Sequence, residues 1–183
     1  MAKVYAMIAD GTEEVECLAV VDILKRSGIE TVLVSVGDTC DVVSSHNIKI
    51  QADAVAADVD FSDGDVIFLP GGLPGSEYLS ECKLLIEAIR QALDDGRRVA
   101  AICAAPGVVL GRHGFLEGKT ATCYPGFENE FKGAEYTMQG VVTDGLITTA
   151  RGLGFAIDLG LELVKLLKGE AAAEDTKAKI QYS

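Results

Sequence analysis

The chain has 183 residues, 49% of them hydrophobic and 24% charged, with a formal net charge of −12. That length buries a substantial core and reads as one domain over 1–183, while the acidic excess excludes stable nucleic-acid binding and attachment to an anionic membrane. The five cysteines are odd in number, widely spaced and without a Cys-x-x-Cys, and only His46 and His113 are present, so neither a disulfide framework nor a metal site is expected and a reducing cytoplasm fits best.

Met1-Ala2-Lys3 runs straight into an apolar segment, so no signal peptide is expected, and no run reaches membrane-spanning length. Lys3 to Ile8 reads as a buried strand and Ala9 to Thr12 as a turn. Glu13 to Arg26 has helical apolar spacing, with Lys25 and Arg26 in the last turn and Gly28 as the stop. Glu30 to Val36 is a second strand, which completes a βαβ unit and implies a parallel sheet. Cys40 to Val43 and Asn47 to Gln51 form a hairpin around Ser44-Ser45-His46, followed by an acidic loop from Asp53 to Asp63.

Val66 to Leu69 is a fully apolar strand that ends in Pro70-Gly71-Gly72-Leu73-Pro74-Gly75. Paired glycines at a strand end let backbone N–H groups face a ligand, although a plain tight turn uses the same residues. Lys83 to Leu93 is an amphipathic helix. Thr120 to Cys123 is a short strand, and the residues after Tyr124-Pro125-Gly126-Phe127 form a short acidic helix. Thr143-Asp144-Gly145 marks a hairpin between Val141-Val142 and Leu146 to Thr149. Phe155 to Leu167 is a long apolar helix, and Glu170 to Ser183 is a further short helix and polar tail. The alternation of strands and helices predicts a three-layer α/β fold.

Between these elements lies Val99-Ala100-Ala101-Ile102-Cys103-Ala104-Ala105-Pro106-Gly107. It begins as a strand and continues as a helix to about Leu110, with Pro106 suited to a first helical turn. Cys103 sits at the junction among small alanines, as the nucleophile of a Gly-x-Ser-x-Gly elbow does. The helix N-terminus favours thiolate, so a lowered Cys103 pKa is expected. The competing reading is a small buried apolar cysteine.

A nucleophile needs a base and donors for developing charge. His113 is ten residues past Cys103, about 15 Å along a helix, too far for direct proton transfer. His46 on its hairpin reads as a solvated turn residue. Glu13, Glu14 and Glu16 follow a strand end and therefore share the carboxyl edge of the sheet with Cys103. Glu13 and Glu14 suit a helix N-terminus, and Glu16 is spaced to point at the sheet edge. Burial there would push Glu16 towards its protonated form, able to donate to a thiolate.

Four motifs in order, Asp10-Gly11-Thr12-Glu13-Glu14-Val15-Glu16, Leu69-Pro70-Gly71-Gly72, Ala100-Ala101-Ile102-Cys103-Ala104-Ala105-Pro106 and Asp144 to Gly152, give a chain that resembles the ThiJ/PfpI superfamily. More narrowly it is similar to the DJ-one-like branch and its bacterial ThiJ-like relatives. The resemblance implies a flavodoxin-like three-layer sandwich with a mostly parallel central sheet, of the class I glutamine-amidotransferase-like type, and a homodimer. It makes Cys103 the reactive cysteine and Glu16 its protonated partner. The backbone at Gly71, Gly72 and Ala104 becomes the anion-stabilising region. Arg26 falls near a position contributed by the dimer partner. Tyr124 stands where some relatives have histidine, which weakens any mechanism with a histidine base. Ala104 stands where protease-like members have histidine, which argues against a peptidase.

The activity implied is cofactor-independent conversion of methylglyoxal-type dicarbonyls, or reversal of their early adducts on proteins or nucleotides. The alternative is a redox-sensing stress protein or chaperone in which Cys103 is oxidised to sulfinate.

Overall fold

The computed structural model describes residues 2–183. Strands β1 (Lys3–Ile8), β2 (Glu30–Ser35), β6 (Val66–Leu69) and β7 (Arg98–Ile102) are short apolar runs. Beside them lie β5 (Ala54–Val55) and the hairpin β10 (Val141–Asp144) and β11 (Ile147–Ala150). Together they make a seven-stranded sheet in the order β10-β11-β7-β6-β1-β2-β5, parallel except for the β10–β11 pair. The fold class is the expected α/β sandwich with a mostly parallel sheet.

Side-chain alternation divides the core. Val4, Ala6 and Ile8 face one side, where Cys17, Val20 and Leu24 of α1 (Glu14–Arg26) meet Leu159 and Leu163 of α4 (Ala156–Lys168). The final helix α5 (Glu170–Lys179) covers α4. Tyr5 and Met7 face the other side, against α2 (Gly75–Glu81), α3 (Lys83–Asp94) and a π-helical segment at Pro106–Gly111. Both faces are buried, so these strands lack the polar alternation of a half-exposed sheet.

Several local expectations change. The acidic loop after Asp53 contains the edge strand β5 and two single 3-10 turns. A helix, α2, follows the glycine-rich turn at once; Pro74 caps it, and the glycines around it hid its pattern. The helix after Cys103 is the wider π form. Gly107 and Gly111 there press against backbone carbonyls of Phe127 and Glu130, with no room for a side chain. The strand near Thr120 is β8 (Thr120–Ala121), which pairs with β9 (Glu135–Tyr136) outside the main sheet. The short acidic helix is a single 3-10 turn at Glu128–Glu130. The hairpin β3 (Asp41–Val43) and β4 (Lys49–Gln51) forms as expected around Ser44-Ser45-His46.

Helices α1 and α4 approach so closely that a Cβ on Gly160 would lie 2.9 Å from Ile23 Cβ. Gly160→Val should therefore destabilise the fold by about 1–3 kcal/mol, the usual cost of overpacking. Urea unfolding of the purified variant checks this; an unchanged midpoint would mean that the two helices separate freely.

Candidate active site

The chain runs outward from β1 to β2 and returns through β6 on the other side of β1. The crevice above the C-terminal ends of β1 and β6 is thus a topological switch point, where open α/β sheets bind ligands. Three segments meet there: 9–16 after β1, 70–75 after β6, and 103–105 after β7.

Cys103 has a φ of +65°, in the left-handed region that side chains rarely adopt. Its N–H donates to the Ala150 carbonyl at 3.0 Å, and its carbonyl accepts from the Tyr124 N–H at 2.8 Å. The end of one strand at Ala150 and the loop at Tyr124 thereby hold the elbow, and buried Ala101, Ala104 and Ala105 leave room for the turn. The backbone N–H groups of Ala104 and Gly72 are aimed at the sulfur.

Glu16 lies in the first turn of α1 and is only 1% exposed. Glu13 caps that helix, its Oε2 accepting from the Glu16 N–H at 2.6 Å. The Glu16 carboxyl is hydrogen-bonded to Cys103, accepts from the Gly71 N–H at 3.1 Å, and is faced by the Leu153 N–H. A Cβ on Gly71 would collide with both the Glu16 carboxyl and Cys103, so the pair closes over bare backbone. Gly72 takes a φ of +91° to turn the chain under α1.

The electrostatics correct one expectation. Burial pushes the Cys103 thiol up, and the charge and hydrogen bond of Glu16 push it further; the N–H groups of Ala104 and Gly72 oppose this and are outweighed. The lowered thiol pKa expected from the helix N-terminus is not what this setting gives. Glu16 is itself raised, to about 7, by burial first and by the charge of Glu13, against its hydrogen bonds to Cys103, Gly71 and Leu153. Two acids held this close titrate as one unit. Around neutral pH the pair keeps one proton, and thiolate exists where that proton sits on Glu16.

A cavity of about 340 Å³ adjoins the pair, lined by Tyr124, Pro125, Arg151 and 152–155. Gly152 forms its floor: a Cβ there would lie 3.3 Å from Tyr124 and 4.0 Å from Glu16 Oε1. The chain thus brings Cys103, Glu16, Gly71, Gly72, Ala104 and Tyr124 together. Arg26 is different. It ends α1, is paired with Asp22, and is about 15 Å along the helix from Glu16, so within one chain it stays away from Cys103. Gly152 and Leu153 were not among the expected site residues; the signal was the glycine pair that follows the β11 end.

Neither histidine is hydrogen-bonded to Cys103 among the described residues. His113 Nε2 is 3.1 Å from the Ser80 hydroxyl. His46 is more than a solvated turn residue, since its Nδ1 lies 2.9 Å from Glu14 Oε1 and 3.9 Å from Glu13 Oε1. Those three residues place possible metal ligands within 4.8 Å of one another. However, Glu13 Oε2 is committed to the Glu16 N–H and Glu14 Oε2 to the Ser45 hydroxyl, so the group reads as an ion pair.

Comparison with known proteins gives a consistent picture. The family model described as DJ-1/PfpI family matches residues 2–166. Protein DJ-1 homolog B of Arabidopsis thaliana is 38% identical over 179 residues, covering 97% of this chain and 41% of that protein. The chain therefore spans about two-fifths of that relative's length. A Caenorhabditis elegans protein named glutathione-independent glyoxalase DJR-1.2 is 31% identical over 162 residues, covering 87% of this chain and 85% of its own. The solved structure of oxidized Toxoplasma gondii DJ-1 superposes with a TM-score of 0.96 at 33% identity, covering 100% of both chains.

The buried carboxyl leaves a signature in stability. The folded chain holds the Glu16 proton up to about pH 7, whereas its ordinary value is 4.5. The folded state therefore binds the extra proton in that window, and the stability this group contributes falls as pH rises through it. Glu16→Gln should gain stability over the native chain by on the order of 1–3 kcal/mol on going from pH 5 to pH 8. Urea titrations at the two pH values check this, and an unchanged difference between the chains would show an ordinary carboxylate.

Proposed function

This chain belongs to the DJ-1/PfpI family, and we propose that it is a cofactor-independent cysteine enzyme acting on reactive dicarbonyls or their early adducts on proteins and nucleotides. The observation that carries this reading is the buried Glu16 carboxyl hydrogen-bonded to Cys103 at a strained elbow. The relative named as a glyoxalase supports it.

The chemistry follows from one mobile proton. With that proton on Glu16, the Cys103 thiolate adds to the aldehyde carbon of a 2-oxoaldehyde and an S–C bond forms. The developing oxyanion faces backbone N–H groups of Gly72 and Ala104 and takes the Glu16 proton. Glu16, now a carboxylate, removes the hydrogen from that carbon and returns it to the neighbouring carbon. The hydroxyl proton moves to the second oxygen, leaving a thioester. Water, deprotonated by Glu16, cleaves the S–C bond, releasing a 2-hydroxyacid and restoring the pair. One water is consumed and no external oxidant or reductant is needed. Tyr124, 52% exposed on the cavity rim, is placed to contact the substrate. We assign no peptidase role.

We further propose that residues 1–183 act as one such domain, in the cytoplasm and as a homodimer. Among the described residues no helix is long and apolar enough to cross a membrane. Val15 and Leu18 on the outer face of α1, with Val43 and Ile48 on the hairpin, expose apolar side chains suited to a second copy. Arg26 would then meet the site from the partner.

A second reading, redox sensing, is favoured by the donors around the sulfur. The N–H groups of Ala104 and Gly72 and the Glu16 hydroxyl could hold the oxygens of a Cys103 sulfinate.

Purified protein given methylglyoxal should form hydroxyacid over many turnovers. Cys103→Ala should lower the rate by about a thousandfold or more, and Glu16→Gln by about a hundredfold. Product is quantified by chromatography, because dicarbonyl loss alone also reports adducts. One equivalent consumed without product, together with peroxide-driven oxygen addition at Cys103, would replace the enzyme reading with the sensor reading.

A further inference from the structure

We propose that Arg151 makes the cavity beside Cys103 a carboxylate-binding subsite, so that the site prefers dicarbonyls carrying a carboxylate a few carbons from the reacting aldehyde. This deepens the proposed function and rests on it for the reaction, but the binding half of its test needs no turnover.

The observation is an arginine without a protein partner in an acidic chain, where 28 aspartates and glutamates face 16 lysines and arginines. Five of the six arginines are engaged. Arg26 pairs with Asp22, Arg90 with Glu87, Arg97 with Asp95, and Arg112 with both Glu77 and Glu130. Arg98 donates to the Gly145 carbonyl. Among the described residues the Arg151 side chain has neither an ion pair nor a hydrogen bond, yet it is half-buried and lines the cavity of about 340 Å³. A guanidinium with its planar fork of donors unmet is matched by a carboxylate, which it can hold through two parallel hydrogen bonds.

The backbone fixes where this cation stands relative to the reacting pair. Arg151 directly follows Ala150, whose carbonyl accepts from the Cys103 N–H at 3.0 Å. Its own N–H donates to the Gly140 carbonyl at 2.9 Å. The Phe155 ring fills the space where Gly140 would carry a side chain, so that wall is held in place as well. Gly152 comes next and lies between Tyr124 and Glu16. The cavity therefore has Arg151 and the Glu16–Cys103 pair as neighbours, joined by three consecutive residues of one chain segment.

The lining says what such a ligand looks like. Among the described residues no carboxylate lines the cavity, and Arg151 is its one charged group. Tyr124, Pro125, Leu153 and Phe155 offer apolar surface to a short carbon chain. Apolar walls with a few polar groups that fix orientation are the usual build of a ligand pocket, and volumes from about 300 Å³ upward take molecules larger than methylglyoxal. The pair carries one negative charge of its own and repels an anion. A carboxylate is thus held at Arg151, and the aldehyde is left to the sulfur. The reaction keeps its balance: the aldehyde carbon is oxidised, the neighbouring ketone carbon is reduced, one water is added, and the product is a hydroxydicarboxylate.

The test uses a five-carbon 2-oxoaldehyde ending in a carboxylate, its methyl ester, and levulinate, the same chain with a methyl group in place of the aldehyde. Hydroxyacid formation from the first two gives a ratio of kcat/KM values for the native protein, Arg151→Gln, Arg151→Lys and Arg26→Gln. The native ratio should favour the carboxylate by about tenfold or more. It should fall to about one in Arg151→Gln and recover in part in Arg151→Lys, which keeps the charge and loses the fork. Calorimetry should show levulinate binding about tenfold more weakly to Arg151→Gln than to the native protein. Turnover of both substrates with the same ratio in the native protein and Arg151→Gln would overturn the proposal and leave the enzyme reading standing. So would a preference lost in Arg26→Gln and kept in Arg151→Gln, which would place the cation on a second copy. Absence of turnover, with levulinate binding that depends on Arg151, would remove the enzyme reading and keep the carboxylate subsite.

Discussion

One proton shared between Glu16 and Cys103 is the constraint on which the rest of the site depends. Neither group is unusual alone. Cys103 by itself is a half-buried thiol that burial keeps protonated, and Glu16 by itself is a carboxyl excluded from water. Side by side they make a unit with one negative charge and one proton near neutral pH, and moving that proton produces either a nucleophile or a base. Addition, proton transfer and release can then be run by two residues without a histidine.

The fold supplies the closeness. Strands β1, β6 and β7 end at the same level of a parallel sheet, so residues far apart in sequence meet at one edge. The approach is then enforced by what is missing. Gly71 has no side chain where Glu16 and Cys103 lie, and Gly152 has none between Glu16 and Tyr124. The left-handed φ of Cys103 lifts the sulfur off the strand, and hydrogen bonds to Ala150 and Tyr124 keep it there. Positive partial charge enters through backbone N–H groups, since Arg26 of α1 is occupied with Asp22 at the helix's far end.

Much of this was legible in the sequence. Fully apolar runs such as Val66 to Leu69 gave the parallel strands, and the small residues around Cys103 gave the elbow. Glu16 was legible as a sheet-edge carboxylate because a helix start after a parallel strand has a fixed place. Other features were not. Ala54–Val55 is too short for any periodicity, and α2 begins within a glycine- and proline-rich turn that hides its apolar face. The direction of the Cys103 shift was missed because local sequence shows the helix N-terminus, whereas burial and the Glu16 charge are tertiary.

The most direct test of the shared proton is a paired titration of the native protein, with the Glu16 carboxyl carbon followed by carbon-13 NMR and the Cys103 thiolate by ultraviolet absorbance. The Glu16 carbon should titrate near pH 7, the thiolate should appear only at higher pH, and replacing Cys103 by serine should shift the Glu16 step. A Glu16 carbon that titrates near 4.5 and is unmoved by the Cys103 replacement would show two independent acids and contradict the account.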